Sequence, residues 1–190
     1  MEVELKNPDI RKLKDVESVL LNKDVAKDNP EKELYYMYRG IKEEKGLRYD
    51  ITVIPPFLMG EEYVKTKGHF HCSNKGELYT VIKGEAFFLI QKGSEVIEDI
   101  YAVKAKAGES VIIPNGYGHI TINPSEETLE LSNWVSLECI SDYKKIEEKN
   151  GACYFYTTKG WIKNNNYKNI PEIRFEEPLK DVPNNLDFLK

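Results

Sequence analysis

The chain contains three histidines, and two of them lie close together in the segment Gly68-His69-Phe70-His71. Side chains two residues apart in a β-strand point to the same face, so His69 and His71 can both reach one ion. Glu77 comes shortly after them, and His119 lies further along the chain. Imidazoles with one carboxylate suit a first-row divalent metal ion and leave coordination positions for water or substrate. We therefore predict a metal site whose ligands are His69, His71, Glu77 and His119.

Two other interpretations of these histidines compete with this one. They could be ordinary surface or core residues, or they could form a structural metal site, although structural sites favour closed, cysteine-rich tetrahedra. Cys72 follows His71 directly, and its parity puts it on the opposite face, where we expect a buried neutral thiol. The chain has two further cysteines, Cys139 and Cys153, and no two of the three form a Cys-x-x-Cys pair. We therefore expect no disulfide framework, and a reducing cytoplasm as the location.

The elements that must position these ligands are short β-strands. Segments rich in β-branched and aromatic residues, separated by Gly, Pro, Asn or Ser, follow one another at regular spacing. With little helix between them, they predict an all-β fold, namely a closed or nearly closed antiparallel barrel or jelly roll. The predicted strands are Leu34–Tyr38, Leu47–Ile54, Glu77–Ile82, Ala86–Gln91, Val96–Val103, Ser110–Ile113, His119–Ile122 and Thr128–Val135.

The two ends of the chain differ from this β-rich region. We expect an N-terminal arm over residues 1–33 with a short helix near Val16–Lys23, and a barrel core at about residues 34–160. A charged loop at Lys42–Gly46 and a hairpin turn at Lys92–Ser94 are expected between strands. A short polar helix over Asp142–Asn150, a strand over Cys153–Thr157 and a partly ordered C-terminal arm over residues 161–190 complete a single domain, which suits 190 residues.

Composition and charge narrow the classes of function. Hydrophobic residues make up 41% and charged residues 31% of the chain, a balance typical of a globular protein. The formal net charge of -5 argues against a nucleic-acid partner, because phosphate backbones bind to basic surfaces. The negative net charge is still compatible with a small anionic ligand, which a few backbone N–H groups and hydroxyls can bind. The N-terminus has no signal-peptide pattern, and no apolar run is long enough for a membrane helix.

The spacing of the ligands resembles the two motifs of the cupin superfamily. The first motif is matched in His69, His71, Glu77 and Gly84, although Tyr63 stands where its leading glycine would fall. The second is matched in full by Gly108, Pro114, Gly116, His119 and Asn123. The resemblance covers about Tyr63–Asn123 and implies a double-stranded β-helix with the metal between the motifs. Because cupins serve many chemistries, it implies the fold rather than one function.

A narrower resemblance adds a function. The string Thr66-Lys67-Gly68-His69-Phe70-His71, followed by Glu77-Leu78-Tyr79 and Tyr117-Gly118-His119, is similar to the cupin-type glucose-6-phosphate isomerases of archaea and some bacteria. The resemblance implies interconversion of glucose 6-phosphate and fructose 6-phosphate, a step of glycolysis and gluconeogenesis. It assigns Thr52, Thr66, Lys67 and Gly68 to the phosphate end, Tyr79 and Tyr143 to the pocket wall, and Glu77 to both metal binding and general base work.

Lys67 is open to a second interpretation, because a lysine in this position could equally be a solvated strand residue; Arg48 is a further candidate for charge at the phosphate end. The mechanism is open too, since either a proton transfer through an enediol or a direct hydride shift would serve. The expected cofactor is one divalent metal ion per subunit, Fe²⁺ first, with Mn²⁺, Ni²⁺ or Zn²⁺ as alternatives. The expected partners are a phosphosugar substrate and a second copy of the chain in a homodimer.

The sequence departs from this isomerase family at two positions. The family usually has a tyrosine where this chain has Val135, and a histidine where it has Ser141. These departures keep two alternatives open: a non-catalytic sugar-binding or regulatory cupin, and a cupin-type metal-dependent dioxygenase.

Overall fold

The computed structural model describes residue 5, residues 7–72 and residues 75–190, so part of the connection between His71 and Glu77 lies outside the described residues. Its strands are β1 (Asp9–Lys12), β2 (Glu33–Glu44), β3 (Leu47–Ile54), β4 (Leu58–Met59), β5 (Glu62–Tyr63), β6 (Phe70–His71), β7 (Glu77–Lys83), β8 (Glu85–Lys92), β9 (Asp99–Lys106), β10 (Ser110–Ile113), β11 (Gly118–Ile122), β12 (Leu129–Ser136), β13 (Ser141–Asp142), β14 (Tyr154–Thr157), β15 (Gly160–Lys163) and β16 (Arg174–Glu176). The helices are α1 (Leu13–Val16), α2 (Asp24–Asp28) and α3 (Lys144–Glu147), with 3-10 turns at Glu17–Val19 and Asp187–Leu189.

These strands form the all-β cupin fold that the sequence predicts. The larger sheet has the order β1-β2-β3-β12-β7-β10, and the second has the order β11-β8-β9-β16. Two smaller sheets pair β13 with β6 and join β15, β14, β5 and β4. Side chains from both large sheets meet in one apolar cluster, which includes Ile54, Val81, Phe88 and Ile120, each almost fully buried. The pattern of short antiparallel strands around a shared core is that of a jelly roll.

Alternation along β3 and β12 decides which side chains face the interior. In β3, Asp50, Thr52 and Ile54 are buried, whereas the intervening Ile51 and Val53 are half-buried. Because alternate residues of a strand share a face, polar residues of β3 point to the same side as the apolar core residue Ile54. The interior therefore has an apolar part and a polar part along the same strand.

Several predicted boundaries were wrong in extent. The segment Lys42–Gly46 is not a loop, because β2 continues to Glu44 and the chain reverses only at Lys45 and Gly46, which both have positive φ. The loop after β8 is longer than Lys92–Ser94, since β9 starts at Asp99. The expected N-terminal helix is divided into α1, a 3-10 turn and α2, and the helix within Asp142–Asn150 is limited to α3.

The arms are more ordered than the sequence suggests. Residues Asp9–Lys12 form an edge strand on the larger sheet, and Arg174–Glu176 pair in parallel with Tyr101–Val103. Tyr167 and Leu189 of the C-terminal arm are buried. Cys72 is exposed, so the expectation of a buried thiol there was wrong, and all three cysteines are free. Across the described residues, no helix has the length and apolar character needed to cross a bilayer.

Candidate active site

The two histidine-bearing segments are joined through their backbones. The N–H of His69 donates to the carbonyl of His119 at 3.2 Å, and the N–H of His119 donates to the carbonyl of His69 at 3.0 Å. This mutual pair brings the two imidazole rings to a centroid distance of 4.6 Å, and the ring of His71 lies 5.1 Å from that of His69. The two histidine-bearing segments therefore lie side by side.

Glu77 completes the group, because it is the first residue of β7 and points into the same space. Its Oε2 lies 3.2 Å from Nε2 of His71 and 3.4 Å from Nε2 of His119. One potential ligand atom from each of the four residues lies within 4.8 Å of the others. The four side chains predicted as ligands thus lie together, and they could hold one metal ion.

The hydrogen bonding of this group fits a cation. Within the described part of the chain, three of its buried atoms have no hydrogen-bond partner: Nε2 of His71, Oε2 of Glu77 and Nδ1 of His119. Buried polar atoms without partners cost free energy, and two of these, Nε2 of His71 and Oε2 of Glu77, lie 3.2 Å apart, which suits a ligand between them. Lone pairs on two imidazoles and a carboxylate are what a first-row divalent ion binds.

Two further contacts orient the group. His71 Nδ1 lies 3.0 Å from the carbonyl oxygen of Lys75, which fixes the proton on Nδ1 and leaves the Nε2 lone pair for an ion. The amide Nδ2 of Asn133 donates to Oε1 of Glu77 at 2.6 Å and so leaves Oε2 for coordination. The sequence analysis missed Asn133. The alternation of β12 could have revealed it, because Asn133 is a polar residue at an inward-facing position between the buried Leu131 and Val135.

Burial and neighbouring charges set the protonation of the group. Burial lowers the pKa of His69 to about 4 and lowers the pKa of His119 well below its usual value, so both rings are neutral near pH 7. Burial alone would raise the pKa of Glu77, but the nearby His71, His119 and His69 lower it to about 2. Burial alone would lower the pKa of His71, but its contacts with Cys139 and Glu77 raise it to about 10, so a metal ion would displace a proton from this ring. The site therefore presents two neutral imidazoles, one protonated imidazole and a carboxylate.

The pocket that contains this group extends to the residues predicted for the phosphate end. Thr52, Thr66, Lys67 and Gly68 all line it, together with Thr121 and Tyr35. Thr66 Oγ1 accepts a hydrogen bond from the N–H of Thr121 at 3.0 Å, which leaves the Thr66 hydroxyl proton available for a ligand. The Tyr35 hydroxyl accepts the N–H of Lys67 at 3.1 Å, and burial raises the pKa of Tyr35 to about 12. These hydroxyls are neutral donors.

Gly68 can only be glycine at this place. Its φ is +81°, and a Cβ there would lie 2.2 Å from Cγ2 of Ile120 and 3.2 Å from the carbonyl oxygen of His119. The close approach brings the backbone of the segment before His69 against β11. This contact explains why a glycine precedes the His-Phe-His string.

The side chain of Lys67 is engaged elsewhere. Its ammonium pairs with Glu147 of α3 at 2.5 Å and lies 5.8 Å from the centroid of the Tyr143 ring. The structure therefore brings the backbone of Lys67 to the pocket wall, while its charge is partly neutralised by a carboxylate. Lys67 links α3 to the segment that carries His69.

The aromatic residues predicted for the pocket wall lie beside the histidines. The Tyr79 hydroxyl is 3.1 Å from Nε2 of His119, and burial raises the pKa of Tyr79 well above its usual value. The Tyr143 ring lies 5.5 Å from that of His69. The two departures from the isomerase pattern also line the pocket, since Ser141 lies opposite His71 and Val135 lies opposite Glu77.

Comparison with known proteins agrees with this site. The family model described as "Glucose-6-phosphate isomerase (GPI)" matches residues 10–172. The glucose-6-phosphate isomerase of Pyrococcus furiosus is 29% identical over 160 residues, covering 81% of this chain and 83% of its own, and that of Thermococcus kodakarensis is 30% identical over 147 residues, covering 74% and 75%. A solved cupin domain from Schizosaccharomyces pombe is 11% identical, covers 62% of this chain and 72% of its own, and has a TM-score of 0.40. The family match spans both histidine segments, and this chain belongs to the glucose-6-phosphate isomerase family.

Proposed function

We propose that the chain interconverts glucose 6-phosphate and fructose 6-phosphate as a metal-dependent isomerase. The observation that carries the proposal is that one pocket is lined both by a four-residue group that could hold a metal and by the hydroxyls of Thr52, Thr66 and Thr121, which suit a phosphate. An aldose–ketose isomerase needs both features, because it must hold the phosphate at one end of the sugar and act on C1 and C2 at the other. The family match supports the same reaction.

The metal end supplies the electrophile. A divalent ion held by His69, His71, Glu77 and His119 would polarise the oxygens on C1 and C2 and so lower the barrier to removing the C2 proton. His119 and Glu77 are buried, and Asn133 donates to the Glu77 carboxylate and keeps it in one orientation. Fe²⁺ is our first choice of ion; Mn²⁺, Ni²⁺ and Zn²⁺ suit the same donors.

We assign the proton transfers to Glu77 and to the pocket residues Tyr79 and Tyr143. In the open-chain aldose, the C2–H bond breaks and its proton passes to Oε2 of Glu77, which acts as the base when it is released from the ion or only weakly coordinated, and an enediolate forms over C1 and C2. A proton moves from the C2 oxygen to the C1 oxygen, with the hydroxyls of Tyr79 and Tyr143 as the donors nearest the histidines. Glu77 then returns its proton to C1. One hydrogen has moved from C2 to C1 and another from O2 to O1, so the atoms balance.

The phosphate end needs donors more than charge. The Thr66 hydroxyl and the backbone around Gly68 line the pocket, and Thr52 faces it from β3. Hydroxyl and backbone N–H donors bind phosphate oxygens without a net charge of their own. We assign Lys67 a smaller part, because its ammonium already pairs with Glu147.

The experiment combines metal removal with an isotope label. The purified protein is stripped with a chelator, reloaded with each candidate ion and assayed for conversion of fructose 6-phosphate in a coupled assay. We expect activity to disappear on stripping and to return with Fe²⁺ above the other ions. Glucose 6-phosphate labelled with deuterium at C2 should lose part of its label to solvent, because Glu77 exchanges its proton. Full activity without metal would overturn the metal dependence, complete retention of label would favour a hydride shift, and no turnover with any ion would overturn the isomerase.

A non-catalytic sugar-binding cupin is the second candidate, and the replacements at Val135 and Ser141 favour it. Both side chains lie next to metal-ligand positions, and neither offers the ionisable group that the isomerase pattern has there. Such a protein would gain thermal stability from sugar phosphates but would not turn them over. The coupled assay above separates the two candidates.

We make two further proposals, on the extent of the domain and on its assembly. We propose that residues 1–190 form one cupin domain, since one apolar cluster runs from Leu13 to Tyr167. We also propose a homodimer through the larger sheet, whose outermost strand is β1. Sedimentation analysis of the metal-loaded protein tests the dimer. A cytoplasmic location suits three free cysteines and a glycolytic substrate.

A further inference from the structure

Two charged residues of β3 face the pocket and have no part in the mechanism above. Arg48 and Asp50 alternate with Thr52 along the strand, and all three line the pocket. The Asp50 side chain is only 5% exposed and that of Arg48 25% exposed. A mostly buried guanidinium in a ligand pocket calls for an explanation, because charged groups are seldom buried without a partner.

Asp50 holds the stem of Arg48 in place. The Nε of Arg48 donates to both carboxylate oxygens of Asp50, at 2.9 and 3.0 Å. The N–H of Gly40 donates to Oδ1 of the same carboxylate at 2.7 Å, and a second guanidinium nitrogen, Nη1 of Arg39, lies 3.9 Å from Oδ2. Asp50 is therefore fixed by the neighbouring strand and fixes the direction of Arg48 in turn.

The terminal nitrogens of Arg48 remain available. In residues 7–72 and 75–190, neither Nη group of Arg48 has a hydrogen-bond partner, since its only hydrogen bonds are those of Nε. A guanidinium presents its Nη groups as a planar pair of donors, a geometry that matches carboxylates and other oxygen pairs. The pocket thus contains an oriented pair of charged donors without a protein acceptor.

The register of the sheet puts this pair at the metal end. Arg48 lies directly opposite Val135 on β12, and Val135 lies directly opposite Glu77 on β7. Residues directly opposite one another in antiparallel strands have their side chains on the same face. Thr52 is four residues further along β3, which is about 13 Å at the usual rise of a strand. Arg48, Val135 and Glu77 therefore form one row across the three strands. The phosphate end, to which Thr52 belongs, is a different part of the pocket.

We propose that Arg48 is a specificity-determining residue that contacts the oxygens on C1 and C2 of the substrate. The inference rests on the proposed isomerase function. Val135 has no hydrogen-bonding side chain, so Arg48 is the hydrogen-bond donor among the three paired residues Arg48, Val135 and Glu77. A positive charge at this place favours the enediol oxygens as they become negative, and it favours ligands that carry an anionic group at C1 as well as a phosphate at C6.

The test uses two ligands that differ at C1. The metal-loaded protein is titrated by calorimetry with a hexonic acid 6-phosphate, which has a carboxylate at C1, and with the matching hexitol 6-phosphate, which has a hydroxyl there. The variants are Arg48→Lys and Arg48→Gln, with Arg174→Gln as the control, because Arg174 is an exposed arginine paired with Asp99 and Glu176. The kcat and KM for fructose 6-phosphate are measured on the same samples.

We expect the wild type and Arg174→Gln to prefer the hexonate. Arg48→Gln should bind the hexonate about 10–100-fold more weakly, the range for a lost charge-assisted hydrogen bond, with a much smaller change for the hexitol and a fall in kcat. Arg48→Lys should keep part of the preference. An unchanged preference in Arg48→Gln, or equal losses for both ligands, would overturn the inference. A wild type that binds both ligands without any turnover would overturn the isomerase proposal, while the two binding constants would still judge Arg48.

Discussion

Asn133 donates a 2.6 Å hydrogen bond to Oε1 of Glu77 and is itself buried on β12. The contact joins a neutral amide to a carboxylate that otherwise faces three imidazoles. Groups that orient a metal ligand in this way contribute to metal affinity almost as much as some ligands do. Asn133 therefore belongs with the site although it does not touch the ion.

Replacing Asn133 with alanine should weaken metal binding about 10–100-fold, because Oε1 of Glu77 loses its donor and the carboxylate can turn. Competition with a chromophoric chelator measures the affinity. Asn165→Ala is the control, since Asn165 is exposed and has no part in the site. Equal affinities in Asn133→Ala and the wild type would mean that Glu77 is held by its other neighbours alone.

Gly68 allows a prediction with a close internal control. Gly46 has a φ of +80°, almost the same as the +81° of Gly68, but nothing lies within 4 Å of the place of its Cβ. Alanine at either position meets the same backbone penalty, and only Gly68→Ala also meets Ile120. We expect Gly68→Ala to lower the free energy of unfolding by about 1–3 kcal/mol more than Gly46→Ala, as overpacking usually does.

Chemical denaturation of the two glycine variants measures the difference in their free energies of unfolding. Steady-state kinetics measure the effect on KM. Gly68→Ala should also raise KM for fructose 6-phosphate, because the segment that lines the phosphate end must move away from β11. Identical stabilities and KM values for the two variants would mean that the backbone accommodates the new methyl group.

At the scale of elements, a buried ion pair links the N-terminal segment to the strand region before the site. Lys65 and Glu62 have side chains only 2% and 1% exposed and form a salt bridge. Lys65 Nζ also donates to the carbonyl of Val19 at 2.8 Å, and Glu62 Oε2 accepts from the N–H of Leu21 at 3.0 Å. Thr66 follows Lys65 directly, so this pair fixes the start of the segment that ends in His71.

Lys65→Met should destabilise the protein by about 3–5 kcal/mol, because Glu62 would stay buried without its counter-charge. The double variant Glu62→Gln, Lys65→Met should recover part of that loss. Lys159→Met is the matched control, since Lys159 pairs with the neighbouring Glu61 on the surface, where ion pairs contribute little. Urea titrations of the wild type and the three variants measure the free energy of unfolding. If Lys65→Met loses no more stability than Lys159→Met, the prediction is contradicted.

How well the sequence predicted an element depended on how that element is stabilised. Leu47–Ile54 and Ser110–Ile113 were predicted at their observed bounds, because both are short runs rich in β-branched residues that become largely buried strands. Asp9–Lys12 was missed, since this polar edge strand is held by backbone pairing with β2 and has no apolar alternation. The four residues that could hold a metal ion were predicted from motif spacing, and the structure brings them together. Asn133 and Asp50 were missed, and Arg48 was considered only for the phosphate end, because register between distant strands, which a single sequence does not encode locally, brings these residues to the pocket.

At the scale of the whole molecule, the end of the C-terminal arm packs behind the site. Leu189 is fully buried and contacts a small cluster with Leu47 and Leu78. Leu78 follows Glu77 in β7 and so points to the face of the sheet away from the pocket. The arm therefore supports the strand that carries the carboxylate ligand from behind, although the sequence predicts only partial order there.

Leu189→Ala should lower the free energy of unfolding by about 2–5 kcal/mol, the usual range for a buried leucine. Phe188→Ala is the control, because the neighbouring Phe188 is 47% exposed. Thermal denaturation of the metal-free proteins compares them without a contribution from bound ion. If both variants melt at the wild-type temperature, the last residues do not contribute to the stability of the fold.

The mutual hydrogen bonds between His69 and His119 have a consequence for the order of events when the chain is made. A nascent chain that has emerged only as far as Glu77 carries two imidazoles and one carboxylate, without the strand that aligns them. The four candidate ligands come together only after β11 has paired with the first motif. An ion would therefore bind the folded barrel much more tightly than the incomplete chain. By mass action, supply of the metal then favours the native chain over the unfolded one, and metal starvation would shorten the life of the protein as well as its activity.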